Sequence, residues 1–154
     1  MITLHAAALE EGVGPHGRTV LAYTRMVEER ARGGDSPPDW KPLEALVAVD
    51  DFQRVGAYGE RMNWREYVDF LGRWAGSTRF EAALHRLVEV GELVFQELTE
   101  RHWHGEAFME KEVLVVYAFD DRGRIRHIAV YEQRADDGLW IAEAARAATG
   151  RGAP

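Results

Sequence analysis

Apolar residues near the start of the chain recur with the period of a helix. Breaker-rich stretches at 11–17 and 33–39 bound this segment, so its pattern predicts a first helix over about 18–32. Pro42 suits the first turn of a second, short helix near 42–50. The apolar face of the first helix consists of Val20, Leu21, Tyr23, Thr24 and Val27.

The clearest helical pattern runs from residue 64 to residue 75. Asn63 is a good N-cap residue, and Glu66 follows three positions later, which is the spacing of a capping box. A shorter helix is predicted near the end of the chain, over about 139–148. The apolar stripe of the clearest helix consists of Trp64, Tyr67, Val68, Leu71, Trp74 and Ala75.

The remaining segments have the character of β-strands. A strand is predicted near 51–60, and four longer strands form two hairpins that turn around Gly91 and Gly123. This element order predicts an α+β fold, in which a curved antiparallel sheet wraps around the N-terminal helices as a cone. Such a cone is a natural small-molecule pocket. The four longer strands are predicted over 79–90, 92–104, 111–120 and 124–133.

The run from Val113 to Phe119 is apolar on both faces of its strand, so both faces are expected to be covered. The helices would cover the inner face. We expect a second copy of the chain to cover the outer face, which makes a homodimer the predicted assembly. The outward set consists of Leu114, Val116, Ala118, Ala129 and Tyr131.

Composition and charge narrow the class of protein. The chain has 154 residues, 46% apolar and 29% charged, which indicates one globular domain. Its net charge is −7 and its 17 arginines are scattered among carboxylates, which argues against nucleic acid and membranes as partners. The absence of cysteine excludes disulfides and thiolate chemistry. The first residues show no signal-peptide or membrane-span pattern, so a cytoplasmic location is expected.

The stretch "QELTERHWHGE" carries the most concentrated candidate chemistry. In a strand, Glu100, His102 and His104 share one face. These side chains would bind a metal, form an acid–base set in a pocket, or make a polar strand end in water. No distant histidine or acid stands in a context that clearly supplies a further ligand. We therefore predict no metal and no cofactor.

Two segments carry a family resemblance, "LHRLVEVGELVFQELTERHWHGE" and "VLVVYAFDDRGRIRHIAVYEQ". With the helix order, they make the chain resemble the nuclear transport factor 2-like superfamily, in particular its SnoaL-like branch. The resemblance implies a cone-shaped, cystatin-like fold, shared by ketosteroid isomerases, polyketide cyclases, epoxide hydrolases and non-catalytic modules. It predicts an N-terminal extension over 1–17, a SnoaL-like domain over 18–133, and a C-terminal short helix and tail over 134–154.

This chain carries only some of the functional residues of the family. At the two acids of the ketosteroid isomerases the resemblance places Gly56 and Val115. At the Arg-x-Asp of the limonene-type epoxide hydrolases it places Leu98 and Glu100, and at their second acid Val130. The resemblance therefore carries over the fold and one carboxylate, and no particular activity.

Four residues are the candidate catalytic set. Glu100 is the candidate acid or base, His102 or His85 its assistant, and Tyr117 a donor to a developing oxyanion. Each of these residues also has an interpretation without a catalytic role. Glu100 and His102 would be strand-end residues in water, and His85 and Tyr117 would be core residues. The candidate substrate-binding set consists of Tyr58, Trp64, Phe70, Trp74, Leu98, Val115 and Val130.

Two functions remain open on the sequence alone. The first is an enzyme that acts on a hydrophobic small molecule, of polyketide or terpenoid type, by acid–base cyclisation, isomerisation, dehydration or hydrolysis. The second is a non-catalytic ligand-binding or dimerisation module of the same fold. Arg54 would line the mouth of the pocket or lie on the surface, and is interpreted as a surface residue. Glu132 falls on the predicted inner face near the strand end, and is interpreted as a solvated or dimer-face charge.

Overall fold

In the computed structural model, which describes residues 13–32, 37–133 and 140–150, the first helix α1 spans Pro15–Arg30. It begins earlier than predicted because proline, which lacks a backbone N–H, is well suited to the first helical turn. The helix thus starts inside the predicted N-terminal extension, of which residues 1–12 lie outside the described residues. The division of the chain into three parts stays a prediction.

The segment after α1 departs from the predicted short α-helix. It forms two 3₁₀ turns, Lys41–Ala45 and Val49–Asp51. Between them the backbone pairs with the sheet, because Ala48 donates to the Ile125 carbonyl over 2.9 Å and Ile125 donates to the Leu46 carbonyl over 2.9 Å. These bonds hold the chain in an extended bridge, which interrupts a continuous helix.

Helix α2 spans Trp64–Ala75 and confirms the predicted helix and its cap. The Asn63 side chain accepts a hydrogen bond from the Glu66 backbone N–H over 2.9 Å, and the Glu66 carboxylate accepts one from the Asn63 N–H over 2.8 Å. This capping box satisfies two backbone donors at the helix start. The last helix, α3, spans Trp140–Thr149, close to its predicted bounds.

Within the described residues, six strands form one sheet: β1 Gln53–Val55, β2 Arg61–Met62, β3 Arg79–Val90, β4 Leu93–His104, β5 Ala107–Phe119 and β6 Ile125–Gln133. Their order across the sheet is β2-β1-β6-β5-β4-β3. The α+β prediction is confirmed, but the sheet is mixed, because β1 runs parallel to β6. The strand predicted near 51–60 is two short strands, β1 and β2, joined by a turn in which Gly59 has φ +79°.

Strand β5 begins at Ala107, four residues before its predicted start. Gly105 makes this possible, because its φ of +60° closes a tight turn directly after β4. Strands β4 and β5 are therefore paired along their whole length, from Leu93 opposite Ala118 to His104 opposite Ala107. The helices and the inner face of the sheet share one apolar core, which holds Val20, Leu71, Val94, Val113, Phe119 and Ile125.

Candidate functional site

A cavity of about 320 Å³ lies between the helices and the inner face of the sheet. This volume is within the range of ligand pockets in proteins. One wall is aromatic, since Tyr67, Phe70 and Trp74 follow each other along α2 with their rings stacked at centroid distances of 6.1 and 6.5 Å. The opposite wall is the inner face of β4, β5 and β6. The cavity is therefore mostly apolar, with a small number of polar groups.

The structure brings most of the sequence-predicted site residues to this cavity. Glu100 and His102 border it because β4 is extended and alternate side chains point inward. Their role in catalysis stays a prediction. The other predicted residues that line the cavity are Tyr58, Phe70, Trp74, Leu98, Val115, Tyr117 and Val130.

Glu100 takes part in a cluster of four polar side chains at the cavity wall. Its Oε2 atom lies 3.1 Å from Nε2 of His102 and 3.6 Å from Nζ of Lys111. The same Lys111 ammonium donates to the carboxylate of Glu132. The side chains of Glu100 and Glu132 are only 15% and 11% exposed, so both carboxylates share one cation in a largely dry place.

His102 is held between the aromatic wall and Glu100. Its ring centroid lies 5.2 Å from that of Phe80 and 5.9 Å from that of Trp74. These rings restrict the imidazole, so its contact with the Glu100 carboxylate has a defined direction. An imidazole next to a carboxylate is a suitable partner for proton transfer near neutral pH.

Tyr117 belongs to a polar chain on the cavity floor. Its hydroxyl donates to Oε1 of Gln96 over 3.0 Å, and Nε2 of Gln96 donates to Oγ1 of Thr24 over 3.0 Å. Burial raises the pKa of Tyr117 well above its ordinary value, with Tyr67 adding to the effect. The hydroxyl therefore stays protonated at neutral pH and acts as a neutral donor.

The inward placement predicted for His85 is wrong. The β3–β4 pairing slips between Leu84 and Arg86, so His85 sits in an irregularity of the strand. Its Nε2 lies 2.6 Å from Oγ1 of Thr99 and 3.5 Å from the carboxylate of Glu112. Thr99 lies between the inward residues of β4 and faces the other side of the sheet. His85 is thus separated from Glu100 by the sheet itself.

Trp64 does not line the cavity either. It is 5% exposed and packs edge-on against Phe52, with 5.2 Å between ring centroids. It also meets Tyr67 edge-on at 6.1 Å. As the first residue of α2 it lies one turn before the helical residues that reach the cavity. Its substrate-binding prediction is replaced by a core role.

In the stretch "QELTERHWHGE", the structure separates His104 from Glu100 and His102. Nδ1 of His104 lies 2.9 Å from the backbone carbonyl of Ser77, beyond the end of the cavity wall formed by Glu100 and His102. Within residues 13–32, 37–133 and 140–150, no group of three or more histidine and acidic side chains is placed to hold a metal ion. Glu100 and His102 instead contact each other.

Sequence analysis assigned three of the cavity residues no role or a different role. Lys111 received no role, although its position opposite Glu100 in a longer hairpin would have placed it on the same face. Glu132 faces the cavity and shares that lysine. Arg54, interpreted as a surface residue, lines the cavity with a side chain that is 15% exposed. Its guanidinium lies over the rings of Tyr67 and Phe70.

Comparison with known proteins defines the fold. No family model and no curated protein matches the chain. Among solved structures, a protein described as a SnoaL-like polyketide cyclase from Shewanella putrefaciens superposes with TM-score 0.69 and 14% identity, over 97% of this chain and 96% of that one. An LEH-like epoxide hydrolase from M. tuberculosis gives TM-score 0.66 and 24% identity, over 88% and 96%.

A third neighbour is described as a ketosteroid isomerase from Kribbella flavida, with TM-score 0.62 and 16% identity over 81% of this chain and 82% of that one. The chain therefore has the fold of these SnoaL-like and nuclear transport factor 2-like proteins, which confirms the fold that its sequence resemblance implies. In the part of the chain that the structure describes, no helix is long and apolar enough to cross a membrane.

Proposed function

We propose that the cavity is an active site in which Glu100 transfers protons to or from a hydrophobic small molecule. The observation that carries the proposal is the pair of carboxylates, Glu100 and Glu132, on one lysine ammonium at the wall of an apolar cavity. Acid–base catalysis needs a group that accepts a proton and a group that gives one. Two carboxylates of one cluster supply both.

Charge counting supports a divided role for the two carboxylates. With Lys111 charged and both carboxylates ionised, the three groups carry a net charge of −1. One added proton makes the three groups neutral, and leaves one carboxylic acid beside one carboxylate. Glu100 is the better candidate for the base, because His102 contacts it and gives its proton a path away from the substrate.

The aromatic wall defines the substrate class that we propose. Phe70 and Trp74 present flat apolar surfaces, and Leu98, Val115 and Val130 complete the opposite side. Flat or polycyclic molecules of polyketide or terpenoid type fit such a lining. Tyr117 would contribute a neutral hydroxyl at the floor.

Among the open reaction types, the two carboxylates favour hydrolysis or a related addition of water. In the limonene-type epoxide hydrolases that the sequence resembles, opening of the epoxide needs one carboxyl group as acid and one as base. Here Glu132 takes the place of the second acid, which Val130 does not provide. Cyclisation, isomerisation and dehydration need the same proton transfers and remain within the proposal.

The test is turnover by purified protein on two panels of substrates. Hydrophobic epoxides are assayed for diol formation, and aromatic keto esters for cyclisation or loss of water, both by mass spectrometry. Glu100→Gln keeps the shape of the side chain and removes its proton transfer. We expect it to lower turnover by about 10²–10⁴-fold.

Glu97→Gln is the matched control. Glu97 is on the same strand, faces the other side of the sheet and pairs with Arg86. Its replacement is expected to leave turnover unchanged. Unaltered turnover in Glu100→Gln, on a substrate that the wild type converts, contradicts the proposal.

A non-catalytic ligand-binding module is the second candidate. The apolar residues Val115 and Val130, where relatives carry acids, favour it. It predicts binding of hydrophobic ligands with no turnover on either panel.

We also propose a homodimer through the outer face of the sheet. A cytoplasmic location stays a prediction.

A further inference from the structure

Arg54 is a cation at the edge of the cavity, with a side chain that is 15% exposed and surroundings that are mostly aromatic. Its guanidinium carbon lies 5.1 Å from the ring centre of Tyr67 and 5.4 Å from that of Phe70. Strand β1 places it there, because Arg54 pairs with Ile128 of β6, whose side chain also lines the cavity. The two ring faces contact the guanidinium as cation–π partners.

One end of this guanidinium lacks a hydrogen-bond acceptor. Nη1 of Arg54 is buried and has no hydrogen-bond partner among the described residues. The carboxylate of Glu60 is 3.8 Å away, beyond hydrogen-bond distance. Glu60 also accepts a hydrogen bond from the Tyr58 N–H over 2.9 Å and is 38% exposed. A buried charged donor without an acceptor is costly, so an acceptor supplied by a ligand has a large effect.

The charged groups of the cavity lie in two separate places along the direction of β6. Arg54 is beside Ile128, whereas Glu132, which belongs to the proton-transfer cluster, comes four residues later. At about 3.3 Å per residue, this corresponds to roughly 13 Å along the strand. One place carries a positive charge that lacks a full partner. The other carries two carboxylates and one ammonium, which together repel an anion.

From this arrangement we infer that the substrate is a hydrophobic acid, whose carboxylate binds Arg54 while the reacting part of the molecule lies at Glu100. The inference rests on the proposed function for the reacting end, and on Arg54 alone for the anionic end. A carboxylate can accept two parallel N–H groups of one guanidinium. Glu60 does not make this contact, because its carboxylate lies 3.8 Å from Nη1 of Arg54. The separation of the two places selects long or polycyclic acids.

The test compares two probes of the same ring system, pyrenebutyrate and pyrenebutanol. Trp74 lines the cavity, so energy transfer from tryptophan to a bound pyrene reports binding. Titration of each probe gives its dissociation constant. We expect the wild type to bind the acid on the order of ten- to a hundredfold more tightly than the alcohol, as a charge-assisted hydrogen bond predicts. Equal affinities, or no binding of the acid, overturn the inference.

Arg54→Met retains an unbranched apolar side chain for packing on the two rings and is expected to abolish the preference for the acid. The affinity of this variant for the alcohol should change much less than its affinity for the acid. Arg54→Gln is the second variant, and loses the preference in the same way if the methionine variant does not fold. Arg73→Met is the control, because Arg73 is 81% exposed on α2 and pairs with Asp69. A preference that survives in both Arg54 variants overturns the inference.

Binding and turnover separate this inference from the proposed function. Glu100→Gln should keep the preference for the acid, since the carboxylate of the probe lies at the other end of the cavity. If Arg54→Met loses the preference while Glu100→Gln keeps full turnover, the acid site stands and the role of Glu100 is wrong. Loss of the preference in Glu100→Gln alone overturns the assignment to Arg54.

Discussion

Glu100 and Lys111 lie directly opposite each other on β4 and β5, with 3.6 Å between the carboxylate Oε2 and the ammonium Nζ. The same ammonium bonds Glu132 on β6, so one cation connects three neighbouring strands. All three side chains are less than a quarter exposed. Their charges therefore act on each other with little screening by water or salt.

We predict that Lys111→Met destabilises the protein at neutral pH by about 2 kcal/mol, between the values for exposed and buried pairs. The variant leaves two carboxylates together without their cation. Their mutual repulsion is then no longer compensated, and it opposes folding. Urea unfolding at pH 7 measures this difference.

The control for this variant is Lys41→Met, at the exposed lysine that begins the first 3₁₀ turn. It should cost little. The double variant Lys111→Met/Glu132→Gln should recover part of the lost stability, since it removes one of the two repelling charges. A double variant that is no more stable than Lys111→Met would show that the loss is one of packing.

We predict that the protein contains no intrinsic metal. His104 is directed to the Ser77 carbonyl, and Glu100 is occupied by His102 and Lys111. Elemental analysis of protein purified without chelator should therefore show no stoichiometric zinc, iron or manganese. A stoichiometric metal that is lost in the variant His102→Ala/His104→Ala would contradict this prediction and place a metal site at the end of β4.

Local patterns predicted those elements that depend on local chemistry. Helix α2 was found with its exact cap, because Asn63, Glu66 and an apolar stripe act within a few residues of each other. The inward face of β4, with Glu100 and His102, followed from the alternation of a strand. These features need no knowledge of distant parts of the chain.

Features that depend on distant pairing were not predicted. The slip between Leu84 and Arg86 turned His85 to the outer face, and nothing in the local pattern marks it. The parallel pairing of β1 with β6 brought Arg54 into the cavity. Lys111 was missed because the turn at Gly105 extends β5 beyond its apolar part. In each case the register between strands decided the outcome.

We predict a homodimer through the outer face of the sheet. Val88, Phe95, Val116 and Ala129 follow one another in register across four strands of this face. Val88 is 49% exposed, and Leu114 and Tyr131 in the next row are 39% and 60% exposed. An apolar row of this kind is typical of a surface that another subunit covers. Light scattering at high micromolar concentration should give twice the mass of the chain.

Val116→Arg tests whether the apolar row of the outer face carries the interface. The side chain lies in the middle of the apolar row, outside the core, so the variant should give a folded monomer or a much weaker dimer. Phe108→Arg is the matched control, because Phe108 is 54% exposed near the far end of the β4–β5 hairpin. Monomeric wild-type protein, or a dimer that is unaffected by Val116→Arg, would contradict this assignment.

The last prediction concerns His127 on β6, which pairs with Ala118 on one side and Gln53 on the other. Burial lowers the pKa of His127, and the charges of Arg126 and Arg61 act in the same direction. The unfolded chain therefore binds a proton at this residue more readily than the folded protein does. Stability must then fall as pH decreases through the ordinary histidine value of about 6.5, and the loss is complete below the pKa of the folded state. His127→Gln removes the titration, so its stability should decline less than that of the wild type between pH 7.5 and 5. Thermal unfolding of both proteins at both pH values measures the difference, and an equal decline would contradict the role assigned to His127.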